Sequence, residues 1–184
     1  MNRLASPSQL RASLIRWAVF LVPLLLLLGS GSAAISGSAA ENAWFQLLEK
    51  PALYPPPAAF GIVWSILYVA MGVAFAGICS SWGSRGRGLA IAVFVAQFLF
   101  NLTWSPTFFA MHRIDLAFAV IIAMDVLVVV CVVLFWRIRR WAGVLLLPYL
   151  AWILFATLLT WQIWQLNPDA SDAEPGRAAQ RIEL

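Results

Sequence analysis

Apolar positions along this chain neither alternate nor keep to one helical face. They fall in five long, nearly unbroken runs, Trp17–Gly37, Phe60–Ser80, Gly88–Ala110, Leu116–Trp136 and Gly143–Leu166. A hydrocarbon core about 30 Å thick is crossed by roughly 20 helical residues rising 1.5 Å each, and every run is long enough. Continuous runs exclude barrel strands, which alternate apolar and polar residues. With no water to satisfy the backbone, helices remain. The pattern therefore predicts an all-α membrane protein, a five-transmembrane-helix bundle. A basic N-terminal segment (1–16) precedes the spanning domain (17–166). The one long connection is loop 39–59, and a polar tail (167–184) is expected to be disordered.

Composition narrows the function classes. The 184 residues are 62% hydrophobic and 11% charged, with ten tryptophans; a soluble domain carries about 25% charged residues. A water-soluble enzyme is excluded, and so is a nucleic-acid binder, because the net charge of +4 sits in short clusters between apolar runs. Cys79, Cys131 and the single His112 offer neither a disulfide framework nor a multi-histidine metal centre.

The basic residues set an orientation. Arg3, Arg11 and Arg16, then Arg85 and Arg87, then Arg137, Arg139 and Arg140 share one side; Lys50, Arg113, Arg177 and Arg181 share the other. The positive-inside rule puts the N-terminus in the cytoplasm and the long first loop outside. A competing reading makes the first run a signal peptide cleaved near Ser38-x-Ala40. The run continues past Leu28 to a full span, which favours a retained helix. It also carries Gly29, Ala33 and Gly37 at the spacing that lets helices approach closely in lipid.

Polar and aromatic exceptions inside the runs carry the candidate chemistry. Gln97, Asn101, Trp104 and Phe108 share one helical face. Two amides on that face are costly against lipid tails, so it should point into the bundle, either to bond other helices or to meet a ligand. Tyr149, Trp152, Ala156 and Thr160 form a second face, and Trp64 and Tyr68 lie one turn apart. Trp17, Trp82, Trp136, Trp141 and Trp164 near span ends read as interfacial anchors. Trp64, Trp104 and Trp152 lie within spans, where indole and phenol rings with a few amides suit a large flat apolar ligand. Asp125 is the one acid deep in a span; without a basic partner it makes no charge relay. Prolines 51, 55, 56 and 57 should stiffen the first loop into a lid and start the second helix.

These residues fall into ordered motifs: Trp44-Phe-Gln-Leu-Leu-Glu-Lys50-Pro51, Tyr54-Pro55-Pro56, Trp64 with Tyr68, Gln97-Phe-Leu-Phe-Asn101-Leu-Thr-Trp104-Ser105-Pro106, and Leu147-Pro148-Tyr149-Leu150-Ala151-Trp152 with Phe155-Ala156-Thr157. From Trp44 to Asn167 the chain resembles the TspO/MBR family of tryptophan-rich sensory and translocator proteins. The resemblance implies a five-helix membrane fold, commonly a homodimer, whose cavity under the first loop binds porphyrins such as protoporphyrin IX or haem. No cofactor is implied as obligatory, and the partners are a flat lipophilic ligand and membrane lipid. Carried over by motif, Trp64, Tyr68, Asn101, Trp104, Trp152 and Ala156 would line the cavity, with Trp44, Tyr54 and Pro55 in the lid. Phe108 and Tyr149 join this ligand set from the two helical faces. Trp64 and Trp152 match tryptophans associated with light-dependent porphyrin degradation, so a porphyrin-degrading enzyme and a transporter stand as alternatives to a sensor. Leu53 replaces a lid tryptophan common in the family, and Thr160, Trp161 and Gln165 replace the animal sterol motif. A bacterial inner membrane is the expected location.

Overall fold

In the computed structural model, residues 6–37 and 42–170 are described. Ser38-x-Ala40 and residues 171–184 of the tail lie outside them. Six α-helices and no strands occur among the described residues: α1 (Pro7–Ile35), α2 (Ala43–Leu47), α3 (Pro57–Cys79), α4 (Arg87–Ser105), α5 (Ile114–Ile138) and α6 (Arg140–Leu166). A π-helical turn, Pro106–Ala110, extends α4. Five of these segments are long and apolar enough to cross a membrane. The five-span architecture read from the hydropathy pattern is the one observed.

The ends differ from the sequence boundaries for local reasons. The helix α1 starts at Pro7, well before the apolar run, because Ser6 and Gln9 form a reciprocal capping box. Pro57 occupies the first turn of α3, where its missing N–H has no helical partner to lose. The connection between α5 and α6 shrinks to Arg139, in extended conformation. The turn is tight because Gly143 lies against the Trp136 backbone, where an added Cβ would come within 2.9 Å.

The span expected as one helix over 88–110 changes at Pro106. Proline cannot donate to the Leu102 carbonyl four residues back. That carbonyl is instead bonded by the Ser32 hydroxyl of α1 at 2.6 Å, and the Thr103 carbonyl accepts the Thr107 hydroxyl at 2.7 Å. In lipid such repairs matter, since no water can substitute. Ser32→Ala is expected to lower stability by roughly 0.6–2 kcal/mol, the range for interhelical bonds in bilayers. Thermal unfolding in micelles measures it, and an unchanged midpoint would show that the carbonyl finds another donor.

Neighbouring spans run antiparallel, gathering Arg11, Arg16, Arg85, Arg87, Arg137, Arg139 and Arg140 at one end. There Arg87 donates to the Ile78 and Cys79 carbonyls at the end of α3, and Arg139 to the Ser81 hydroxyl. Phe75 stacks on Phe94 at 4.0 Å and Phe94 on Phe135 at 5.8 Å, filling the half of the bundle nearest the arginines. Gly72 lets α1 and α3 touch: a Cβ there would sit 2.8 Å from the Val22 backbone. The core is thus dense on the arginine side. On the other side it is hollow.

Candidate ligand-binding site

A cavity of about 570 Å³ occupies that other half. Its size falls within the range of about 300–1,000 Å³ that holds drug-sized ligands. The roof is the loop between α1 and α3. Short α2 is started by Asn42, whose side chain caps the Phe45 N–H at 2.9 Å and also donates to the Phe109 carbonyl at 2.9 Å. The far end of the roof is tied to α6 by a reciprocal pair: Glu49 N–H to Asn167 Oδ1, and Asn167 Nδ2 to the Glu49 carbonyl, both 2.9 Å. Lys50 sits 4.9 Å over the Phe45 ring and donates to the Leu48 carbonyl. A loop read as proline-stiffened is held closed by amides as well.

Six aromatic rings form a continuous arc around the roof side. Centroid separations run 5.1 Å from Trp104 to Phe108, 5.8 Å to Phe45, 5.7 Å to Tyr54, 5.3 Å to Phe60 and 5.8 Å to Trp152. All six line the cavity. Each ring buttresses the next in edge, tilted or stacked contact, which fixes the shape of the void without filling it. Deeper in, Trp64 stacks on Tyr68 at 5.3 Å. The helix α1 completes the wall with Gly29 and Ala33, and Gly37 just beyond its end joins them. Gly29 accommodates the Tyr68 ring, which any side chain there would strike.

The floor is polar but saturated. Tyr68 donates to Asn101 Oδ1 at 3.0 Å, Asn101 Nδ2 to the Tyr149 hydroxyl at 3.2 Å, and Tyr149 to Gln97 Oε1 at 2.9 Å. This directed chain ties α3, α4 and α6 together. Of the two readings open for the amides, Gln97 is wholly an interhelical anchor, whereas Asn101 does that and also faces the cavity. Asp125 accepts the Thr157 hydroxyl at 2.8 Å across the α5–α6 seam and does not line the void.

The indole nitrogens of Trp104 and Trp152 are buried without a hydrogen-bond partner. A buried unmade bond costs about 1–3 kcal/mol, and neither nitrogen has surface open to the void. The described wall contains no histidine or cysteine. Its rings suit the faces of a flat molecule.

The sequence-assigned residues divide between the wall and its support. Tyr54, Trp64, Tyr68, Asn101, Trp104, Phe108, Trp152 and Ala156 all line the cavity. Tyr149 lies behind Asn101, fully buried. Trp44 is outside the wall, stacked at 4.4 Å on His112 and edge-on to Phe108 at 5.8 Å. Pro55 lies in the roof segment, away from the lining. His112 turns the chain into α5 with a left-handed φ of 56°. Burial lowers its imidazole below the usual histidine range, partly offset by a hydrogen bond to the Phe109 carbonyl. Burial also pushes the Tyr54 phenol up to about 12, keeping it protonated. Sequence reasoning missed Phe45, Phe109, Met124 and Ile121 as wall residues. Their phase along each helix carried no polar exception to mark it. Phe45 stood inside the Trp44–Pro51 motif and Thr160 on the Tyr149 face, so their lining positions had a signal.

Comparison with known proteins agrees with this architecture. The family model described as the TspO/MBR family matches residues 19–165. A tryptophan-rich sensory protein of Cereibacter sphaeroides is 35% identical over 158 residues, covering 85% of this chain and 96% of that protein. The tryptophan-rich protein TspO of Chlorobaculum tepidum is 33% identical, over 78% of this chain and 92% of its own length. The human translocator protein is 30% identical, over 67% and 75% respectively. Five apolar spans, an aromatic cavity and a match covering nearly the whole described bundle lead to one conclusion: the chain belongs to the TspO/MBR family, an integral multi-pass membrane protein.

Proposed function

We propose that this protein is a membrane sensor or regulator that binds a flat tetrapyrrole, protoporphyrin IX or haem, beneath the tied roof. The observation that carries the reading is the void of about 570 Å³ lined by an unbroken arc of six aromatic rings. Aromatic faces suit the macrocycle. The arginine-rich end supports a cytoplasmic N-terminus with the roof outward, in a bacterial inner membrane. A homodimer is the assembly the family resemblance implies.

Light-driven degradation is a second reading, favoured by Trp64 and Trp152 both lining the cavity. An excited porphyrin with oxygen can take an electron or hydrogen from an indole held close to it. Titration of the purified protein with protoporphyrin IX, followed by tryptophan quenching, tests binding; absence of saturable quenching overturns the main reading. Irradiating that complex separates the two. Trp64→Phe and Trp152→Phe are expected to keep the fold and blunt bleaching, and their double variant to blunt it most. Unchanged product yield in all three would remove the photochemical role, and slow stoichiometric bleaching in the wild type would mark a binder.

A further inference from the structure

The cavity is sealed on three sides and open on one. Every residue of its lining that is exposed belongs to α1 or α3: Ser30, Ala33 and Ala34 on α1, and Pro57, Ala58, Gly61 and Ser65 on α3. The walls from α4, α5 and α6 are closed by buried groups such as Asn101, Met124 and Thr160. Nearer the arginine end the α1–α3 seam is shut, with Gly29 on the Tyr68 ring and Gly72 on the Val22 backbone. Toward the roof the two helices part, and a Cβ added at Gly61 would meet nothing within 4 Å. This opening lies in the stretch of both helices that crosses the bilayer. The aqueous end, by contrast, is fastened by Asn42 to the Phe109 carbonyl and by the Glu49–Asn167 pair.

We propose that the gap between α1 and α3 is a lateral portal through which ligand passes between the cavity and the outer half of the bilayer, the roof staying tied. The lining of the gap suits that passage. Small side chains leave room for a flat molecule to slide edge-on, and Ser30 and Ser65 can meet its polar edge. A lipophilic macrocycle concentrates in the membrane, so a side door samples far more ligand than a door to water. Opening the roof would break buried ring contacts at Phe45, which is 2% exposed. Opening sideways breaks none of them.

The inference rests on the tetrapyrrole-binding reading, and the experiment separates the two. Wild-type protein, Gly61→Phe, Ala34→Phe and Asn167→Ala are placed in lipid nanodiscs. Protoporphyrin IX is added from donor vesicles, and association and dissociation are followed by stopped-flow tryptophan quenching. A bulky ring on either face of the portal should slow association and dissociation together, by tenfold or more, with Kd within about threefold of wild type. Releasing one roof tie through Asn167→Ala should leave the association rate within twofold. Faster association in Asn167→Ala, or unchanged rates in both portal variants, would overturn the lateral route and place entry at the roof. Loss of affinity with an unchanged association rate would also overturn it, because the added rings would then be acting inside the cavity. Wild-type protein that fails to bind at all removes the binding reading itself.

Discussion

Gly72→Leu is expected to separate α1 from α3 and to produce the largest loss of stability among single substitutions in the bundle. The added Cβ would lie 2.8 Å from both the Cα and a methyl carbon of Val22, and the Cα, being backbone, cannot rotate away. Overpacking a dense core costs about 1–3 kcal/mol and more where backbone must move, so about 3 kcal/mol or above is expected. Leucine favours helix over glycine by nearly 1 kcal/mol, which offsets only part of this. Gly31→Leu is the control: nothing lies within 4 Å of a Cβ there, so the same exchange should be neutral or slightly stabilising. Thermal unfolding in micelles compares the two. Equal midpoints for both variants would mean that α1 and α3 do not meet at Gly72.

Asn101→Leu is expected to damage stability and ligand binding together. Asn101 is the middle link between the Tyr68 and Tyr149 hydroxyls and is 7% exposed. Without it Tyr68 loses its acceptor, whereas Tyr149 keeps Gln97. One newly orphaned buried hydroxyl costs about 1–3 kcal/mol. Tyr68 then loses the bond that holds it beneath Trp64, so the deep wall loosens and porphyrin affinity should fall about tenfold or more. Tyr68→Phe, which removes the stranded hydroxyl, should recover part of the stability of Asn101→Leu but not its affinity. Asn101→Leu with wild-type affinity would reduce the amide to scaffolding alone.

The Gly29, Ala33 and Gly37 spacing and the shared face of Gln97 and Asn101 illustrate what spacing can and cannot say. Gly29, Ala33 and Gly37 at four-residue intervals announced that something would approach α1 closely. The approach at Gly29 is by the Tyr68 ring, and all three residues line the cavity. The backbone contact between α1 and α3 uses Gly72 instead, which no spacing pattern marked. Likewise, the shared face of Gln97 and Asn101 showed that both amides point inward, because lipid cannot solvate them. Which of them faces the void depends on the depth at which Tyr149 crosses α4. The prolines mark the first loop in the sequence, but its ties to Phe109 and Asn167 join residues 67 and 118 positions apart.

By itself the sequence determined the solvent, the number of spans, their sidedness in arginines and the family, since each follows from local composition or ordered motifs. Helix in lipid is obligatory, so hydropathy suffices. Only the tertiary structure decided where the bundle is full and where it is hollow. A cavity is what remains after every side chain has been placed, and Phe75, Phe94 and Phe135 fill one half while Phe45, Phe60 and Trp104 merely frame the other. For the same reason the opening between α1 and α3 has no signature of its own: it is a difference in helix separation, set by Gly72 at one end and by the roof at the other.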